Sequence, residues 1–208
     1  MIREDTIGKQ RIFLGLSTDA WPGLGKEDVG TRLFLTDRKA IAWWDGDAWG
    51  PATPGWFTLY QANPFVSRVS LNDATDDDFQ TIHAVNIPPD LLPLSGSLRI
   101  WHWWLCTSSG NTKAISAQIN GAAFAAPTTT TNVQLAQSNV VYLNGAPNIV
   151  IGMNNSNDIG ATANTPLNLV NTDFSKAMPI EWKCRWTTQP IAGAEVITLQ
   201  RVCVELYQ

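Results

Sequence analysis

Two histidines, three cysteines and a scattering of acids are the side chains of this 208-residue sequence that could do covalent or metal chemistry. His83 and His102 fall in none of the HxH, HxxxH or HExxH spacings, so no metal pair is implied. Cys106, Cys184 and Cys203 are odd in number, widely spaced and without a CxxC, which is neither a disulfide framework nor a zinc site. There is no GxSxG, no P-loop and no local signature pairing a cysteine with a histidine. A paired-carboxylate glycosidase needs only two acids, drawn from anywhere in the chain. From Thr81 onward those acids are scarce: Asp90, Asp158, Asp173, Glu181, Glu195 and Glu205. Most fall in turns or on the wet face of a strand. The sequence therefore offers no catalytic residue, no metal ligand and no cofactor site, and it does not read as an enzyme.

The chemistry it does offer is stacking, because ten tryptophans is a heavy load for this length. In "LRIWHWWLC" a period of two sets Arg99, Trp101, Trp103 and Leu105 on one face. Leu98, Ile100, His102, Trp104 and Cys106 lie on the other, where His102 reads as a packed, hydrogen-bonded core residue. One sandwich core cannot use both faces. The surplus aromatic face is expected to meet either a second subunit or a sugar. Trp56, Trp101, Trp103 and Tyr207 are the candidates for interface or glycan-stacking contacts. In the last run both Val196, Thr198, Gln200, Val202, Val204, Leu206 and the alternate set Ile197, Leu199, Arg201, Cys203, Glu205, Tyr207 are largely apolar. That pattern suggests a strand covered on both sides, the second cover coming from another chain.

The elements that position these residues are short strands. Helical periodicity is almost absent, and β-rich runs are punctuated by Gly, Asn, Pro, Ser and Thr. In "RLFLTDRKAIAWWDGDAWG", Thr31–Leu35 and Ala40–Trp44 read as strands. Asp45-Gly46 reads as a type I′ turn, with Asp47–Trp49 returning. Trp43, Trp44 and Trp49 are then the local core of a small meander, with an aromatic ligand platform as the rival reading. Residues 66–80 read as a connector, with Asp76, Asp77 and Asp78 a solvated acidic run. From Thr81 eight or nine strands follow, as in one antiparallel sandwich. "PIEWKCRW" shows the pattern most clearly: Ile180, Trp182, Cys184 and Trp186 face in, while Glu181, Lys183 and Arg185 face out. The expected fold class is all-β, an antiparallel jelly-roll-like β-sandwich preceded by a small β module.

Charged residues are 15% and hydrophobic residues 44% of the chain, so most of it is expected to fold. The net charge of −4, with no Lys/Arg cluster, argues against nucleic acid as a partner. "MIREDTIGKQ" is too polar for a signal peptide, and no apolar run approaches a membrane span. Folding in a reducing cytoplasm, without membrane insertion, is the expectation.

Two regions carry a resemblance. In residues 12–49, Gly15-Leu16-Ser17-Thr18-Asp19, Gly30-Thr31, Thr36-Asp37, Trp44-Asp45-Gly46 and Trp49 match the pattern of a small module common in tailed-bacteriophage virion proteins. "TDRK" stands where that pattern usually has TDT followed by Gly or Lys. From Ile87 to Tyr207, "IPPDLL…GSLRI", "SSGNTKAISAQING", a Thr/Asn-rich middle, "NTDFSKAMPIEWKCRW" and "AEVITLQRVCVELYQ" are similar to the jelly-roll-like tip domain of phage fibres and head-surface proteins. The resemblance implies a homotrimeric structural protein of the virion, assembled in the host cytoplasm, and transfers no catalytic residue. It implies an attachment region over 1–65, with the β module at about 30–50, and a projecting sandwich over 81–208. The N-terminal region would meet the major capsid protein or another virion protein. Lacking heptads or collagen-like repeats for a shaft, the chain reads as a head decoration or short head fibre. A tail-fibre tip gripping host glycan is the alternative.

Overall fold

The computed structural model of the chain describes all residues except 8–9, 39, 51, 53–54, 90, 92–96, 126–127, 130–133, 144–148, 156–165, 169–175, 189, 191 and 208. Asp90, Asp158 and Asp173 lie outside the described residues, as does much of the Thr/Asn-rich middle. The elements are β1 (Arg3–Ile7), β2 (Gln10–Gly15), β3 (Arg32–Leu35), β4 (Ala40–Trp43), β5 (Trp56–Ala62), β6 (Val66–Val69), β7 (Gln80–Ile87) and β8 (Ser97–Cys106). They continue with β9 (Lys113–Ile119), β10 (Ala122–Ala125), β11 (Thr128–Thr129), β12 (Gln134–Leu143), β13 (Ile149–Asn155), β14 (Pro166–Asn168), β15 (Met178–Trp186) and β16 (Val196–Tyr207). Two 3-10 turns, Lys26–Asp28 and Ala74–Asp77, are the helical structure among the described residues.

The chain is all-β, as expected. A seven-stranded sheet, β14-β13-β12-β8-β16-β5 with β6 also on β16, faces a five-stranded sheet, β10-β9-β15-β7 with β11 on β9. Strands β7, β8 and β9 alternate between the two sheets, and so do β14, β15 and β16, which is the jelly-roll manner of building a sandwich. One apolar core joins both sheets and also takes in Ile7, Ile12, Leu14, Phe34 and Ile41 of a third, four-stranded sheet, β1-β2-β3-β4.

Strand β15 follows its alternation without exception: Met178, Ile180, Trp182, Cys184 and Trp186 are buried. Strand β16 does not. Opposite β8 its register shifts between Leu199 and Arg201, so Gln200 is an extra residue. A bulge moves every later side chain to the opposite face. The core set is therefore Ile197, Leu199, Val202, Val204 and Leu206. The two apolar faces expected of this strand are one core face that changes phase, and β16 by itself gives no argument for a second chain.

The expected seam at residue 65 and the connector over 66–80 also need correction. Strands β5 and β6 both pair with β16, so they belong to the sandwich. Alternation in "WFTLYQA" reveals a strand but not its partner, and pairing decides where a strand belongs. Asp76 is not part of a solvated run. It is fully buried, and its carboxylate accepts the backbone N–H groups of Leu71 at 2.9 Å and Asn72 at 2.5 Å. The Arg68 guanidinium lies 3.6 Å from it, donates to the Cys184 carbonyl at 2.6 Å and covers the Trp186 ring at 5.1 Å. This buried pair fastens the stretch between β6 and β7 onto β15.

In the four-stranded sheet, β2 and β3 run parallel, so a crossover must join them. The residues that carry the module resemblance hold that crossover and its neighbouring turns. The Asp37 carboxylate accepts the Ser17 N–H at 2.8 Å and the Ser17 hydroxyl at 2.7 Å. Asp19 accepts the Leu16 N–H at 2.9 Å. The indole N–H of Trp44 donates to the Gly25 carbonyl, and that of Trp49 to the Pro22 carbonyl, each at 2.8 Å. Trp44 and Trp49 form the closing bridge of β4's hairpin, and the four residues between them replace the expected type I′ turn. Among these, Gly46 has positive φ and Asp45 does not. Instead, Asp45 Oδ1 accepts the N–H groups of Asp47 at 2.9 Å and Ala48 at 2.8 Å. These bonds, Ala48's first, hold its carboxyl below the usual carboxylate range. Trp44 and Trp49 are thus local core, whereas Trp43 is 47% exposed.

Candidate functional site

Among the described residues, the three cysteines and two histidines are buried or hydrogen-bonded. Burial pushes the Cys106 thiol up to about 11 and the Cys184 thiol up to about 12, so neither is a nucleophile at neutral pH. Cys203 is raised too, again mainly by burial. His102 is fully buried, and its Nδ1 accepts the Trp104 indole N–H at 2.6 Å. His83 Nε2 lies 3.0 Å from the Tyr60 hydroxyl, and burial lowers its pKa. The described acids from Thr81 onward are all engaged. Glu181 lies 3.0 Å from Lys183, and buried Glu195 lies 3.1 Å from Lys113. Glu195 also accepts the Trp186 indole N–H at 3.0 Å and the Asn111 amide at 2.5 Å.

The outward face of the seven-stranded sheet is different. Register places Arg99 opposite Glu205, Trp101 opposite Cys203, Trp103 opposite Arg201 and Trp56 opposite Tyr207. Directly opposed residues share a face, so one surface gathers all four of the sequence's candidate residues. Trp101 and Trp103 stack at 6.1 Å with their planes 14° apart. Trp56 and Tyr207 meet at 5.4 Å, and they are 39% and 46% exposed. Arg99 joins the two pairs: its guanidinium lies 4.5 Å from the Trp56 ring and 5.5 Å from the Trp101 ring. Arg201 covers Trp103 at 5.1 Å.

Glu205 fixes this arrangement. It accepts Arg99 Nε at 2.6 Å and the Trp101 indole N–H at 2.9 Å. Burial pushes its carboxyl up, but the bonds from Arg99 and Trp101 outweigh that and leave it below the ordinary glutamate value. The face is thus a set of oriented rings interleaved with cations, each contact worth about 0.5–1 kcal/mol where exposed. Such a surface can stack flat apolar rings or pack against another protein.

The sequence alternation already placed Arg99 beside Trp101 and Trp103. It missed Arg201, because the bulge at Gln200 hid which of the two alternating sets of β16 turns outward. It also missed the part played by Glu205, which depends on a cross-strand register that no local pattern encodes.

No family model matches the chain, and no curated protein sequence matches it. Among solved structures, infectious bursal disease virus Gx strain aligns over 95% of this chain and 41% of that one, at 10% identity and a TM-score of 0.40. The VP2 subviral particle of infectious bursal disease virus aligns over 91% of this chain and 38% of that one, at 13% identity and a TM-score of 0.35. The chain thus spans about two fifths of the length of these structures.

Proposed function

We propose that this chain is a structural component of a bacteriophage virion, a trimeric head decoration protein or short head fibre. Its N-terminal sheet docks on the particle through the major capsid protein or a neighbour, and the sandwich projects. The observation that carries this reading is the part played by the module residues. Ser17, Asp19, Asp37, Asp45, Trp44 and Trp49, which make the resemblance to the virion module, hold the turns of one small sheet rather than a reaction site. The outward rings of Trp101 and Trp103 support a subunit contact, since stacked indoles framed by Arg suit an interface centre.

A second reading, a receptor-binding tip for host glycan, is favoured by the exposure of Trp56 and Tyr207 beside the Arg99–Glu205 pair. Peptide mass spectrometry of purified particles tests the virion role. Recovery of this chain in stoichiometric amount supports it, and absence from intact particles contradicts it. Light scattering of the isolated chain tests the trimer, with a mass near three times 22.8 kDa expected.

A further inference from the structure

A cleft of about 490 Å³ opens between the four-stranded sheet and β5, and it shares Trp56 with the outward aromatic face. Arg32, Trp43 and Asp45 line it from one side, and Trp56 and Phe57 from the other. Its size falls within the range of small-molecule sites, which favour seams of this kind. Arg32 and Trp43 are opposite each other in register, so they share the face that turns toward the sandwich.

Arg32 is the unusual member. Its Nη1 is buried and has no hydrogen-bond partner among the described residues. Burial alone acts on its pKa, which is lowered. Arg32 as a whole is half-buried and lines the cleft, and the planar fork of a guanidinium matches a carboxylate. Trp43 and Trp56, 47% and 39% exposed, flank the opening with faces suited to the C–H side of a pyranose ring. Asp45 is exposed at the rim, and both of its loop bonds fall on Oδ1, so Oδ2 can accept hydroxyl protons.

We propose that this cleft binds a carboxylate-bearing sugar ring, with Arg32 taking the carboxylate, Trp43 and Trp56 the ring face, and Asp45 the hydroxyls. The inference stands apart from the virion reading and holds wherever the chain resides.

Calorimetric titration of the full chain with N-acetylneuraminate and with glucuronate, each beside its methyl ester, tests it. At least one acid is expected to bind about tenfold or more tighter than its ester, the scale of one charge-assisted pair. Which acid it is distinguishes a sialate from a hexuronate source. Arg32→Gln removes a desolvated charge and is expected to leave the fold intact while abolishing the acid preference. Trp43→Ala is expected to weaken acid and ester alike. Equal binding of acid and ester, no binding of either acid at about 10 mM, or unchanged acid binding by Arg32→Gln overturns the proposal. Acetate binding as tightly as the sugars overturns the ring contact. None of these results bears on whether the chain is found in particles.

Discussion

Arg99 and Glu205 meet across β8 and β16 at 2.6 Å, and that contact organises the outward aromatic face. Glu205 holds Arg99 and Trp101 together, and Arg99 in turn lies over Trp56 and Trp101. Both side chains are partly exposed, at 31% and 18%. The pair is therefore worth about 1 kcal/mol after solvent screening. Glu205→Gln is expected to lower stability by about that amount in urea denaturation. A double-mutant cycle with Arg99→Ala should show coupling of about 1 kcal/mol. Strict additivity would mean the pair is incidental.

Trp182 and Trp186 are fully buried on β15. Replacing either with Ala should cost about 3–5 kcal/mol. Trp186→Ala also takes a donor from Glu195, so it belongs at the upper end. Trp103→Ala on the outward face should cost the isolated chain much less. It should weaken a trimer if that face is the subunit contact. Differential scanning calorimetry at two protein concentrations separates these effects.

Part of the acid sensitivity should come from Glu195 and Glu205. Burial raises both, but hydrogen bonds (Asn111, Ser109 and Lys113 for Glu195) leave both below the ordinary value of 4.5. A depressed folded-state pKa means the unfolded chain binds more protons on acidification. The stabilisation is present above the unfolded value and is lost as pH falls below it toward the folded values. Denaturation midpoints should begin to fall gently below about pH 6.5, as the unfolded chain protonates His83 more readily than the folded one, and more steeply below about 4.5. In Lys113→Met the burial of Glu195 is less well opposed, so the fall should begin at a higher pH.

Thiol chemistry gives a direct check on the core. All three cysteines are free and buried, and two of their thiols titrate at about 11 and about 12. At pH 8 the native chain should react slowly with a disulfide reagent such as dithionitrobenzoate, and denaturant should release all three thiols. Rapid native labelling of Cys184 would contradict the placement of β15.

Removing the Asp45 carboxylate should loosen the Trp44–Trp49 hairpin, because two backbone N–H groups lose their acceptor. Asp45→Ala is expected to lower the melting temperature modestly, as losing a helix cap does. Amide exchange at Asp47 and Ala48 should rise with it.

Strand β15 was legible in the sequence because its alternation is unbroken and it pairs on both edges. Strand β16 was half legible. Its apolar residues stood out, but the bulge at Gln200 turned one core face into two apparent ones. The four outward candidates were found from residue type and from the phase of β8. What gathers them is register, set by long-range pairing between segments roughly a hundred residues apart. The same reason hid Arg68 and Asp76. A buried ion pair looks like two ordinary surface charges until the fold closes over it.

The most direct test of the central claim is electron cryo-microscopy of the particle that carries this chain, with the tryptophan-dense sandwich as the fitting landmark. The account predicts density in threes on the capsid surface, with the four-stranded sheet toward the shell and the sandwich outward. Absence of the chain from the particle, or a monomer attached by its sandwich, would contradict it.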